Sequence, residues 1–242
     1  MRGSGGDLSK YFYRLKQLEG AIPLNCFGRR FDGGEYAEFG GAKGLNYRLG
    51  LAVVGMGDLN AVDVAHMCHL DLLERYDVVN SDLVMEYGLP LPDSDVLVGV
   101  YIDDLLVLHV CDRGRANATQ GPDRDAILRA YQAYEENGLP RSTDKDFGFG
   151  VGGGDAQADT QFKAWGTCID TETGEVATHI TKRLTNAYCI FEIMEYKSVP
   201  KLVLVRALAL AVRPFMHRRP LFCCMHRCLL YTSPSPRDPT SS

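Results

Sequence analysis

Val96-Leu97-Val98-Gly99-Val100-Tyr101-Ile102-Asp103-Asp104-Leu105-Leu106-Val107-Leu108-His109-Val110 is the stretch whose reading decides the fold. Two β-rich apolar runs, Val96 to Val100 and Leu105 to Val110, are separated only by Tyr101 to Asp104. Such runs on either side of so short a link predict a β-hairpin with acids at its tip. Taken alone, an Asp-Asp pair is usually a solvated turn. Between two strands bound for burial it sets local composition against fold, and such conflicts tend to mark function.

Outward from the hairpin, helical and extended patterns alternate. Upstream, Val62, Ala65, Leu72, Leu73 and Tyr76 recur at helical spacing between Leu59 and Tyr76. Residues 26–45 are Gly-rich, with a turn signal at Asp32-Gly33-Gly34, and Leu49 to Val54 is a short apolar run. Asp7 to Leu18 is aromatic-rich and reads as a strand passing into a helix. Arg2-Gly3-Ser4-Gly5-Gly6 before it is a poor strand by composition.

Downstream, Gly121-Pro122-Asp123 opens a helix with Asp123 as the expected N-cap. Ile127, Ala130, Tyr131 and Tyr134 mark its apolar face, and Asn137-Gly138 closes it. Thr171-Glu172-Thr173-Gly174 reads as a second hairpin turn. Residues 178–227 read as helices, one of them starting at Ser198-Val199-Pro200. The order predicts an α+β layer, an antiparallel sheet with helices on one face.

Composition is that of a globular chain, 45% apolar and 24% charged over 242 residues. The formal charge of −5 hides an asymmetry. From Ala177 to Arg227 there are nine Lys or Arg against Glu192 and Glu195, a net +7, which leaves −12 on the residues before it. A basic block behind an acidic body suits either a polyanionic partner or a solvated helix face. Eight scattered cysteines do not make a secreted disulfide scaffold. The most apolar stretch, Lys201 to Val212, is interrupted by Arg206 and too short to span a bilayer. An intracellular setting with no membrane partner is the expectation.

Two-metal phosphoryl transfer needs carboxylates that hold two cations about 3.5–4 Å apart. Acids at a hairpin tip, joined by a third from a neighbouring strand, meet that need. Asp103 and Asp104 are the tip, and Asp7 is the candidate third. Tyr101-Ile102-Asp103-Asp104 resembles the Y-x-D-D box of reverse transcriptases, and further motifs resemble that family in its expected order. Asp7-Leu8-Ser9-Lys10-Tyr11-Phe12 resembles its first palm motif. Gly55-Met56-Gly57 resembles its P-Q-G turn, with Gly55 and Met56 replacing Pro and Gln. Gly138-Leu139 with Asp144-Lys145 resembles the motif whose lysine assists pyrophosphate departure. Phe162-Lys163-Ala164-Trp165-Gly166 resembles the primer-grip hairpin.

The resemblance implies a right-hand polymerase palm over residues 1–160, with the fingers missing. It implies a primer-grip hairpin over 161–176 (Phe162, Trp165, Gly166) and the start of a helical thumb over 177–227. It implies two Mg²⁺, or Mn²⁺, on Asp7, Asp103 and Asp104, with Lys145 as proton donor or charge clamp. Phe12 would be the steric gate against a 2′-hydroxyl, and Tyr101, Met56 and Gly57 would contact substrate or template. The implied partners are an RNA or DNA template–primer and deoxynucleoside triphosphates. The Y-x-D-D and F-x-x-W-G types are similar to those of retrotransposon or retrovirus-like enzymes. Residues 228–242 resemble a translated sequencing adapter and are set aside from fold reasoning. The chain is expected to be an open fragment of a longer protein, inactive by itself.

Two other functions fit some of the same residues. A degenerate palm could bind nucleic acid through the +7 segment without catalysis. A Mg²⁺-dependent phosphohydrolase could use the same acids, although no nucleophile is evident near Tyr101. Gly148 to Gly153 fits G-x-G-x-x-G but does not open onto a helix start. His66 and His69 read as packing or surface histidines, and Cys223, Cys224, His226 and Cys228 have the look of a zinc cluster that borrows from the adapter-like tail.

Overall fold

The strand least expected from composition is the one at the front of the chain. In this computed structural model, which describes residues 1–150 and 158–217, Arg2–Asp7 is strand β1. Its glycines are there for close approach. A Cβ on Gly5 would lie 2.2 Å from the Leu105 carbonyl oxygen, and one on Gly6 would lie 2.1 Å from Asp146 Oδ1. The segment is a poor strand in isolation and a good one in this crowded place.

A peripheral hairpin follows, β2 (Cys26–Asp32) and β3 (Asn46–Gly50), in antiparallel pairing. Asp32 ends β2, and its carboxylate accepts from the Gly34 and Gly44 amides, which fixes the connection. Helix α1 covers Ala61–Arg75, matching the periodicity read between 59 and 76. The central hairpin is β4 (Val96–Tyr101) and β5 (Asp104–His109). Helix α2 spans Pro122–Glu136.

β1, β5 and β4 form one antiparallel sheet in that order, with β5 in the middle. Val98 faces Val107 and Val100 faces Leu105 across the β4–β5 ladder. These residues and Val96 share one core with Ala65, Leu72 and Leu73 of α1 and Ile127, Ala130 and Ala133 of α2. Both helices therefore cover the same sheet face, the α+β arrangement expected. Val98, Val107, Leu73 and Ile127 are fully sealed from solvent, each worth roughly 1.5–3 kcal/mol of burial.

Asp123 is not the N-cap that the sequence suggested. Gly121 holds that position, Pro122 opens the helix, and the Asp123 carboxylate turns inward to Arg2. Arg2 Nε and Nη2 donate to it at 2.8 and 2.7 Å, and both side chains are 1% exposed. The remaining guanidinium donors reach the carbonyls of Arg115, Ala118 and Gln120. A buried arginine must find an acceptor for every N–H, and this one ties strand β1 to the loop before α2.

From Thr160 onward the chain forms a second compact unit. A three-stranded antiparallel meander, β6 (Gln161–Ala164), β7 (Thr167–Asp170) and β8 (Glu175–Thr178), leads to helices α3 (Ile180–Met194) and α4 (Lys201–Met216). The expected turn at 171–174 joins β7 to β8. No helix among the described residues is long and apolar enough to cross a membrane. The G-x-G-x-x-G stretch beyond Gly150, the basic residues from 218, the Cys223–Cys228 cluster and the 228–242 tail lie outside the described residues.

Removing one partner of the sealed ion pair leaves a buried charge unmatched. Asp123→Ala is expected to cost about 3–5 kcal/mol in urea unfolding, and the joint Arg2→Met, Asp123→Leu replacement much less. Equal losses for the single and the double variants would contradict this account of the pair.

Candidate active site

The β1–β5 register decides where the acids go. Asp7 stands directly opposite Asp104, in the last rung of that ladder. Tyr101 closes the other ladder against the same Asp104. Paired residues share a sheet face, and residues alternate along a strand. Asp7, Asp104 and Tyr101 are thus set on the face away from α1 and α2. Ile102 and Asp103 form the two-residue turn, and the Leu8 amide donates to the Asp103 carbonyl at 3.0 Å.

Ile102 has φ +59°. A β-branched residue in the left-handed region costs on the order of 1–3 kcal/mol and persists only where its surroundings fix it. Helix α1 supplies that fixing. His69 Nδ1 lies 2.8 Å from the Ile102 carbonyl oxygen, and the Ile102 amide points to His66 Nδ1 at 3.4 Å. His69 is completely buried, with Nε2 2.8 Å from the Tyr134 hydroxyl of α2. The burial of His69 agrees with the packing reading: it falls in register with Ala65, Leu72 and Leu73 on the helix's buried stripe, and a histidine there needs partners for its nitrogens.

Lys145 reaches the acids on the segment after α2, which runs beside β1. The Ser9 amide donates to the Pro140 carbonyl, the Ser142 amide to Asp7, and Gly5 and Phe147 exchange bonds. This brings the Lys145 ammonium onto Asp7 Oδ2, with the lysine 58% and the aspartate 12% exposed. Arg141 braces the same segment. It pairs with Asp146 and lies over the Tyr131 ring at 3.6 Å.

Burial, then the charge of Asp7, raises the pKa of Asp103. The same causes, with Asp103 added, push Asp104 up to about 6. The hydrogen bond to Asp7 raises Lys145. Three carboxylates are thus crowded at one strand end with one ammonium among them. Carboxylate oxygens are the hard donors that Mg²⁺ prefers, so the donor chemistry fits such an ion. As they stand, with Lys145 on Asp7, no three Asp, Glu, His or Cys side chains among the described residues form a ready metal-holding group.

The other sequence candidates are placed separately. Phe12 lies in the 3₁₀ turn Tyr11–Arg14 after β1, 9% exposed, with its ring in the core beside Tyr11. Met56 is exposed and Gly57 sits in the turn before α1. That turn is held by Asp58, whose carboxylate accepts from the Gly55 amide and the Asn25 side chain. In the second unit, Trp165 and Gly166 are the two-residue turn between β6 and β7, both with positive φ, and Phe162 is buried on β6.

No protein-family model matches the chain, and no curated protein matches it in sequence. Among solved structures, it is similar to a foamy viral protease–reverse transcriptase determined in complex with an RNA/DNA hybrid. The identity is 14% and the TM-score 0.50, over 86% of this chain and 20% of that one. The chain spans about a fifth of the length of that structure, and at this identity the likeness is one of fold.

Proposed function

We propose that this chain carries the palm active site of an RNA-directed DNA polymerase. The observation that supports this most is the ladder that sets Asp7 opposite Asp104, with Asp103 on the adjoining turn. The likeness in fold to a reverse transcriptase adds to it. In this reading the residues up to 160 are the palm, the 161–176 meander is the primer grip, and α3 and α4 begin the thumb. The nucleic-acid partner is a template–primer, drawn to the basic region from 177 onward.

Asp7, Asp103 and Asp104 would hold two Mg²⁺, or Mn²⁺. Such ions lower the pKa of a primer 3′-hydroxyl and neutralise charge on the departing pyrophosphate. The chain's own groups do the rest. Lys145, now on Asp7, would swing its ammonium to the pyrophosphate as charge clamp or proton donor. Phe12 would limit space at the sugar 2′ position. Tyr101, Met56 and Gly57 would position the nucleotide and template, and Phe162, Trp165 and Gly166 the primer end. The Lys145–Asp7 pair favours one alternative, a palm remnant that binds nucleic acid without metal, its ammonium standing in for the cation.

In a longer protein that contains this chain, Asp103→Asn is expected to lower primer extension on an RNA template on the order of 10³-fold. An unchanged rate would remove Asp103 from the chemistry. Template–primer binding by the 242-residue chain, titrated with and without Mg²⁺, separates the two readings, because a remnant binds equally well either way.

Asp104 gives a pH signature. Its carboxyl is raised in the fold to about 6, so the folded state binds this proton more tightly than the unfolded chain does. The resulting stability is complete below the ordinary Asp range and is lost as pH rises through about 6. In EDTA, that rise is expected to lower Tm by roughly 2–4 °C, on the order of 1 kcal/mol after solvent screening. Mg²⁺ should restore it, and Asp104→Asn should shrink the drop to the part that Asp103 contributes. A metal-free Tm indifferent to pH across this range would count against the crowded-carboxylate description.

A further inference from the structure

The pair of histidines under the hairpin tip has a role that packing alone does not explain. Both polar groups of the Ile102 backbone face α1, the carbonyl toward His69 and the amide toward His66. A carbonyl only accepts, so His69 Nδ1 carries the hydrogen. Burial holds the ring neutral, its pKa lowered to about 4. Nε2 is then a lone pair, and the Tyr134 hydroxyl must donate to it. Protons along this line are fixed in one direction, from Tyr134 to His69 and from His69 to Ile102. The rings of Tyr11 and Tyr134 lie 5.7 and 5.5 Å from His69 and hold it in place.

We infer that His69, its tautomer fixed by the Ile102 carbonyl and its ring held by the Tyr134 hydroxyl, is a positioning residue that holds Ile102 in its left-handed conformation and so places Asp103 against Asp7 and Asp104. This rests on the polymerase reading for its purpose, though not for its geometry. Groups that brace a ligand-bearing element orient its donors, and losing one costs roughly 10–100-fold in metal affinity. Here the brace acts through the backbone next to the acid.

Two replacements separate positioning from packing. His69→Asn keeps an N–H donor at the same bond distance from the main chain while leaving space. His69→Leu fills the space and removes the donor. A packing residue would tolerate Leu at least as well as Asn. The two readouts are Mn²⁺ affinity of the 242-residue chain, followed by electron paramagnetic resonance, and hydrogen exchange at the Leu8 amide, which bonds to the Asp103 carbonyl.

His69→Leu is expected to weaken Mn²⁺ binding about 10–100-fold, with Asn in between. Leu8 exchange is expected to quicken about tenfold while amides in the middle of α2 keep their protection. Tyr134→Phe, which leaves the histidine in place, should move both readouts the same way to a smaller degree, and it serves if His69→Leu fails to fold. Leu matching wild type in both readouts, or Asn falling below Leu, overturns the proposal. If wild type binds no Mn²⁺, the polymerase reading falls, and Leu8 exchange alone judges the clamp.

Discussion

The rest of the structure depends on the register between β1 and β5. Side chains alternate with a period of two, so a slip of one residue would send Asp7 to the helix-covered face and bring Gly6 opposite Asp104. Several contacts hold the strand in phase. Gly5 and Gly6 allow the Leu105 carbonyl and the Asp146 carboxylate to approach. Arg2, five residues ahead of Asp7, is locked to Asp123. The segment around Pro140 to Phe147 bonds to the far edge of β1. A strand of mostly small residues is thus pinned along its edges and by the one long side chain at its start.

That arrangement works against electrostatics, and the structure shows how the cost is distributed. Asp103 and Asp104 both have raised pKa values because burial and like charge disfavour ionisation. One lysine cannot neutralise three carboxylates. The site is left with surplus negative charge at a strand end, on the face opposite the packed helices. The same crowding would be difficult to retain in a turn whose only task was to reverse the chain.

Much of this was legible in the sequence, and the parts that were not share a cause. The hairpin, α1 and α2 announce themselves because burial imposes periods of two and 3.6 on apolar residues. The spacing of Tyr101 to Asp104 shows the acids at a tip. β1 is nearly invisible, because its strand character comes from what surrounds Gly5 and Gly6. Asp123 looks like a cap because its position in the sequence is right for one, while Arg2 lies 121 residues away and propensity carries no such information. His69 was open to a closer reading, since its place on the buried stripe of α1 implies partners. Its partners, Ile102 and Tyr134, come from two other elements, and only the fold brings them together.

The two acid sites show how the same residue type serves opposite ends. Asp123 is sealed with Arg2, every donor of which is used, so its charge is structural and cannot be exchanged without unfolding the neighbourhood. Asp7 has an ammonium too, but Lys145 is more than half exposed and carries its charge on a flexible stem. An ion pair with such access to water contributes little, and its partner can be replaced. Exchangeability is what the metal-holding role proposed for Asp7 requires. The exposure of the counter-ion, more than the distance to it, separates an acid that builds the fold from one that is available for chemistry.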